Sequence, residues 1–380
     1  MTMAQVPFYR HQLGDSEREQ LAKSLDNPIL TTGPISRAVE VELQHYFGVS
    51  KVKLVNSWTN GALAALLSLG VGPGDEVIIP SMTFIACANI VELLGAKPVF
   101  CDVSRADLLV SFADIEPLIN QRTKVVMVVH LYGQMCDMRS ISQELNKRGI
   151  KLIEDCAHSF ESTRDCQRPG TYSDFAIFSF YATKNVSCGE GGAVITNNEN
   201  LYNDLVQRVS HGMSASAVDR FNLGKYNHWD MKLLGVKANL PDILASLLPS
   251  QIKSAETKLK LREILASRYD AFVEKHGLRV PKKVEKSVHA RHLYPLWIPD
   301  GKRDEVLTIL SENQIGVTVN FRSVNSLSYY REKYPHQEFM TPISREWGEG
   351  VISLPLYPGL KSEEQDYVMD VLETRVLPIL

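Results

Sequence analysis

The sequence predicts an α/β chain: a large, mostly parallel sheet covered by helices on both faces, followed by a smaller α+β domain. Three observations predict it. Short apolar segments rich in β-branched and aromatic residues, at 98–103, 124–130, 151–155, 175–180 and 192–196, alternate with helical patterns near 86–94, 113–120, 138–148 and 198–208. That order is the one a parallel sheet with crossover helices produces. Beyond about residue 250 the pattern changes to one long helix, then strand-like HLYPLWI (292–298), a helical stretch at 302–311 and strand-like IGVTVNFR (315–322). Finally, 380 residues are enough for two units, divided as 1–250 and 251–380.

In chain order, Ser16 and Glu19 read as a capping box before a helix over Gln20–Leu25, which Asn27-Pro28 ends. Residues 37–46 are again helical, and Val52–Val55 form a short strand leading into NSWTNGALAA. There Ser57, Thr59 and Asn60 stand at the start of a helical run, Gly61–Leu69. Free backbone N–H groups and hydroxyls at such a start form either an anion site or a plain N-cap. After strand Val77–Pro80, Phe84 reads either as core or as an apolar face for a flat ring.

Asp155 ends the strand that begins at Lys151, where α/β sheets place ligand-binding groups. It reads as a turn cap or as a buried carboxylate, and the latter needs a cationic partner. Lys184 lies in a polar loop between the apolar runs 175–180 and 192–196. Alone it reads as a solvated loop lysine; with its amine desolvated by the strands it is a nucleophile toward aldehydes. Residues 211–230 are polar and aperiodic and read as an active-site loop or a surface loop. Pro241 suits the first position of the helix that follows.

Composition narrows the function classes. A net charge of −3 argues against a general nucleic-acid or membrane-surface binder, and no helix-turn-helix or basic patch is present. The six cysteines lack a CxxC or similar metal spacing, so they read as reduced, mostly buried thiols, and no metal is expected. No apolar run approaches the ~20 residues that span a bilayer, and MTMAQVPFYRHQ lacks the apolar core of a secretory signal. A cytoplasmic enzyme is the expectation.

Several stretches, in order, resemble the DegT/DnrJ/EryC1/StrS type of pyridoxal-phosphate sugar aminotransferases. They are LTTGP (30–34), NSWTNGALAA (56–65), GDEVIIPSMTFIACAN (74–89), IEDCAH (153–158), FSFYATKNVSCGEGGAVITN (178–197), ANLPDILASL (238–247) and SLPLYP (353–358). The resemblance implies fold type I, the aspartate-aminotransferase-like class. It further implies pyridoxal 5′-phosphate, cycling through pyridoxamine 5′-phosphate, as cofactor. By the same resemblance Lys184 bonds the cofactor aldehyde and then acts as base, and Asp155 faces the ring nitrogen. Ser57, Thr59, Asn60 and Ser179 cradle the phosphate, Phe84 stacks on the ring, and His158 supports it. Asn239 reaches the cofactor of a neighbouring subunit, which implies a homodimer with shared sites.

The amino donor implied is glutamate and the acceptor a nucleotide-linked keto sugar. The stretch TVNFRSVNSLSYYREKYP (318–335), with LTTGP, resembles enzymes that aminate C4 of UDP-4-keto sugars for bacterial lipopolysaccharide, capsule or flagellin glycans. Asn320, Arg322 and Thr31 are the expected substrate contacts. Asn320 departs from the family, where a histidine is common at that position, and Arg322 reads equally as a structural ion-pair member. Amination at C3 and a regulator that binds the cofactor without turnover are the alternatives.

Overall fold

The structure is a computed structural model and describes residues 5–214 and 228–380. Seven strands form its main sheet: β1 (Lys51–Val55), β2 (Glu76–Pro80), β3 (Lys97–Cys101), β4 (Thr123–Val129), β5 (Lys151–Asp155), β6 (Phe175–Ser179) and β7 (Gly192–Thr196). Their order across the sheet is β1-β7-β6-β5-β4-β2-β3. Only β7 runs against its neighbours.

The sequence explains why helices cover both faces. Successive residues of a strand point to opposite sides, and in β6 Phe175 and Ile177 join one core cluster while Ala176 and Phe178 join another. Both sides of the strand are therefore apolar. The first cluster adds Ala65 and Ile90 from the Trp58–Ser68 and Ala86–Leu93 helices; the second adds Leu43 and Phe47 from the Pro34–Phe47 helix.

A third cluster lies in the C-terminal part, where Tyr269, Leu296, Leu310, Ile352 and Leu372 pack together. It collects side chains from the helices Pro249–His276 and Arg303–Glu312 and from the antiparallel pair Tyr294–Trp297 and Val351–Leu354. Val324, Tyr330 and Trp347, by contrast, belong to the cluster of the main sheet.

Three local expectations are corrected. The first helix is Asp15–Leu25, and its capping carboxylate is Glu17, which accepts the Gly14 N–H at 2.7 Å. Residues 315–322 form no strand; they make only single bridges, Val6 to Ile315 and Thr318 to Ser353. Pro241 is the extended residue before a four-residue helix, Asp242–Ala245, and the first-turn proline of the long helix is Pro249. Of the polar stretch expected at 211–230, residues 215–227 lie outside the described residues.

One buried ion pair ties the long helix to the segment that follows β5. Arg262 and Glu161 meet at 2.6 Å with almost no exposure, and the second Glu161 oxygen accepts the Asn185 amide at 2.8 Å. Asn185 is the neighbour of Lys184, so the pair also fixes the loop that carries it. Removing one partner strands a charge in the interior. Arg262→Leu is expected to lower stability by about 3–5 kcal/mol in urea titrations, and a loss below about 1 kcal/mol would contradict this assignment.

Candidate active site

The carboxyl ends of β1, β4, β5 and β6 and the start of the reversed β7 lie on one edge of the sheet, since Gly192 pairs with both Val55 and Ser179. Above this edge is a cavity of about 420 Å³. Its wall includes Ser57, Thr59, Phe84, Asp155, His158, Ser179, Lys184 and Asn320, eight of the residues expected from the sequence. Four others are elsewhere. The Asn60 amide donates to Asn56 at 2.9 Å and its N–H is capped by Ser57, so neither group is offered to the cavity. Thr31 is exposed, and Asn239 donates to Thr32 at 2.6 Å, outside the cavity wall. Arg322 lines a separate surface cleft with Arg303, Arg331 and Arg345.

Asp155 is buried at the end of β5. Its oxygens accept the Ala157 N–H at 3.0 Å and the Cys87 thiol at 3.4 Å. Burial raises the carboxyl above its ordinary range, while those two donors and the charges of Lys184 and His130 oppose the rise. Such a carboxylate is under-solvated and makes no ion pair among the described residues, which is the condition a ring N–H⁺ would relieve.

His130 beneath it is paired elsewhere. Burial pulls its pKa down, yet hydrogen bonds with Cys136 and Glu154 and the charge of Glu154 outweigh this and leave it at about 9. His130, Glu154 and Cys156 come close enough to suggest a metal cluster. Glu154 is already filled, by His130 at 2.8 Å, the Gly170 N–H at 2.9 Å and the Ser173 hydroxyl at 2.5 Å, so the group is a satisfied ion pair.

The antiparallel turn from β6 to β7 brings Lys184 back over the same edge. Burial depresses its amine to about 8, with Asp155 and Cys87 working the other way. His158 accepts the Tyr132 N–H on Nδ1 at 3.2 Å. Burial first, and Lys184 second, push it well below its ordinary pKa, so it is neutral and carries its proton on Nε2. Its ring lies parallel to Phe321 at 5.7 Å, and Phe84, 55 % exposed, stands at the rim 6.0 Å from Phe321.

Sequence reasoning missed several wall residues: Trp58, Cys87, His292 and Phe321. His292 was read as part of a strand; its ring stands 4.4 Å from His158 and bonds Asn185 at 3.1 Å. Phe321 carried no signal beyond being apolar.

Residues 11–373 match the DegT/DnrJ/EryC1/StrS aminotransferase family. The chain belongs to that family. It is 34% identical over 373 residues to the spore coat polysaccharide biosynthesis protein SpsC of Bacillus subtilis (strain 168), covering 97% of this chain and 96% of the relative. Among solved structures it is similar to the putative sugar aminotransferase Spr1654 from Streptococcus pneumoniae. The PMP-form superposes with a TM-score of 0.92 at 28% identity, covering 99% of this chain and 100% of that one. The PLP-form gives 0.91 at 27%, with the same coverage.

As a DegT/DnrJ/EryC1/StrS aminotransferase the chain uses pyridoxal phosphate, and the site fits it. The Trp58–Ser68 helix starts at the cavity, and its first N–H groups are donors for a phosphate. Space for the approach depends on Gly192, where a Cβ would lie 2.6 Å from the Phe178 carbonyl and 3.0 Å from the Trp58 nitrogen. A partner-poor carboxylate, a desolvated amine and an aromatic rim complete the donor set.

The depressed amine gives a pH prediction. Only the unprotonated form attacks an aldehyde. Capture of pyridoxal phosphate by cofactor-free protein is therefore expected to accelerate as pH rises through about 8 and to level off above it. Stopped-flow absorbance measures this, and a rate still climbing toward pH 10.5, the ordinary lysine value, would contradict it.

Proposed function

We propose that this aminotransferase moves an amino group from glutamate to a nucleotide-linked keto sugar. The favoured position is C4 of a UDP-4-keto-6-deoxy or related sugar made for a bacterial glycan. The observation that carries the reading is the convergence of Lys184 and Asp155 on one cavity that opens at a helix N-terminus. The sugar acceptor is supported by the relatives, one named for spore coat polysaccharide biosynthesis and one as a putative sugar aminotransferase. The C4 choice is supported by the 318–335 stretch. Asn320 contributes a buried side-chain oxygen without a hydrogen-bond partner in the cavity wall, suited to accept a sugar hydroxyl.

Bound pyridoxal phosphate supplies an electron sink for the carbanion formed at the reacting carbon. The chain supplies the rest. Ser57, Thr59, Ser179 and the helix N–H groups hold the phosphate, and Asp155 keeps the ring nitrogen protonated. Phe84 gives an apolar face. Lys184, with its amine free, would serve as the base that holds and moves the proton of the donor carbon. His158 offers its Nε2–H as a neutral donor.

The working unit in this reading is a cytoplasmic homodimer with shared sites. Support comes from exposed apolar side chains, Phe84 and Tyr181 in the cavity wall and Ile85 and Leu93 in a second surface cleft. Asn239 lies away from its own chain's cavity, as a residue serving the neighbouring subunit would. Among the described residues no helix is long and apolar enough to cross a membrane. The chain is taken as a cofactor-binding domain, 1–250, and a smaller domain, 251–380. Support for that division comes from the core around Tyr269, Leu296, Leu310 and Leu372, which also takes in Val6, while Val324, Tyr330 and Trp347 pack on the main sheet.

The test is a panel of UDP-, dTDP- and GDP-linked keto sugars with glutamate, the products assigned by NMR. Amination at C4 of a UDP sugar is expected. Amination at C3, or no turnover with any member, would contradict the proposal.

A further inference from the structure

A second, smaller cavity of about 20 Å³ shares Thr183, Lys184 and His292 with the main one. Its remaining wall includes Lys258, Arg262 and Tyr357. That volume holds one or two water-sized atoms.

The polar side chains facing it carry both donors and acceptors, and several are already engaged. Tyr357 is 1 % exposed, and its hydroxyl has no hydrogen-bond partner. Lys258 makes no ion pair within 4.0 Å among the described residues. Burial lowers its ammonium pKa even though Glu17 and Glu161 act to raise it. Arg262 is neutralised by Glu161, and Asn185 is spent on Glu161, Ala290 and His292. Gln251 is likewise taken, by Ser187 and Leu247. What is left among the described residues is the Lys258 ammonium and the Tyr357 hydroxyl, beside the Tyr9 and Thr183 hydroxyls and the Gln12 side chain, whose nitrogen is taken by the Arg10 and His11 carbonyls. A buried hydroxyl donor and a half-buried ammonium together suit an anionic oxygen.

We propose that this niche receives the α-carboxylate of the amino donor. The inference rests on the transamination reading, because it is the donor's nitrogen that must come to the position Lys184 occupies. The α-carboxylate is one carbon away from that nitrogen, and Lys184 is part of the wall common to both cavities. The sugar acceptor carries no carboxylate at its reacting carbon, so the niche acts in one half-reaction only.

The test uses pyridoxal-phosphate-loaded protein with Tyr357→Phe and Lys258→Met. Loss of the cofactor's absorbance on adding glutamate reports the donor half-reaction. Each variant is expected to raise the half-saturating glutamate concentration by about tenfold or more, since hydrogen bonds to charged groups are worth that factor. The second half-reaction, with the keto sugar, should be unchanged, and Lys258→Arg should restore most of the loss. Calorimetry with glutarate on cofactor-free protein gives an independent readout, with binding weakened about tenfold in the double variant. Unchanged half-saturation for glutamate, or equal damage to both half-reactions, would overturn the niche. A wild-type protein that no amino donor bleaches would instead contradict transamination, and the glutarate titration would then decide the niche by itself.

Discussion

Lys184→Ala is expected to lower turnover by about 10⁴-fold or more, because one amine serves first as the nucleophile toward the cofactor and then as the base that moves the proton. The fold should survive. Lys184 forms no ion pair among the described residues, and replacing an amine that burial already depresses to about 8 removes an unfavourable charge from the cavity wall. Circular dichroism and thermal melting should therefore match the parent protein while steady-state activity disappears. Activity within tenfold of the parent would remove Lys184 from the chemistry.

Asp155→Asn separates electrostatics from packing. The amide keeps the size of the carboxylate and still accepts the Ala157 N–H, but it cannot hold a positive charge on the ring nitrogen opposite. Removing one preorganised electrostatic partner of a developing charge costs about 10²–10³-fold in rate, and that is the drop expected in kcat. Stability should move the other way. Because burial raises the Asp155 carboxyl above its ordinary range, the ionised group is a cost to the cofactor-free protein near neutral pH. The variant without cofactor should melt no lower than the parent, and its stabilisation by added pyridoxal phosphate should be smaller. A lower melting point without cofactor, with kcat unchanged, would show a structural carboxylate only.

The sheet was legible because its strands are short runs of β-branched and aromatic residues, buried on both faces as in β6. Asp155 and Lys184 were legible for a related reason, since each stands where an apolar run meets a polar loop. The segment 315–322 has the same composition, yet it meets the second edge of Val351–Leu354 at one point only. Val351–Leu354 pairs with Tyr294–Trp297, and only the Thr318 to Ser353 bridge remains. Pro241 shows a different failure. A proline fits the extended residue before a helix as well as its first turn, and here it takes the former place.

Contacts across long sequence distances were not legible at all. His158 against Phe321, Arg262 against Glu161 and Ser81 against Ser323 are made by the crossing of elements, and no local periodicity encodes them. The loss of Asn60 from the expected phosphate cradle has a local cause instead. Its residue type suits the role, but the neighbouring Asn56 carbonyl oxygen captures its amide.

The most direct measurement is chemical. Protein loaded with pyridoxal phosphate is reduced with borohydride, digested, and its peptides are sequenced by mass spectrometry. The pyridoxyl label should sit on Lys184 alone and vanish in Lys184→Ala; a label on any other lysine, or none, would contradict the site described above.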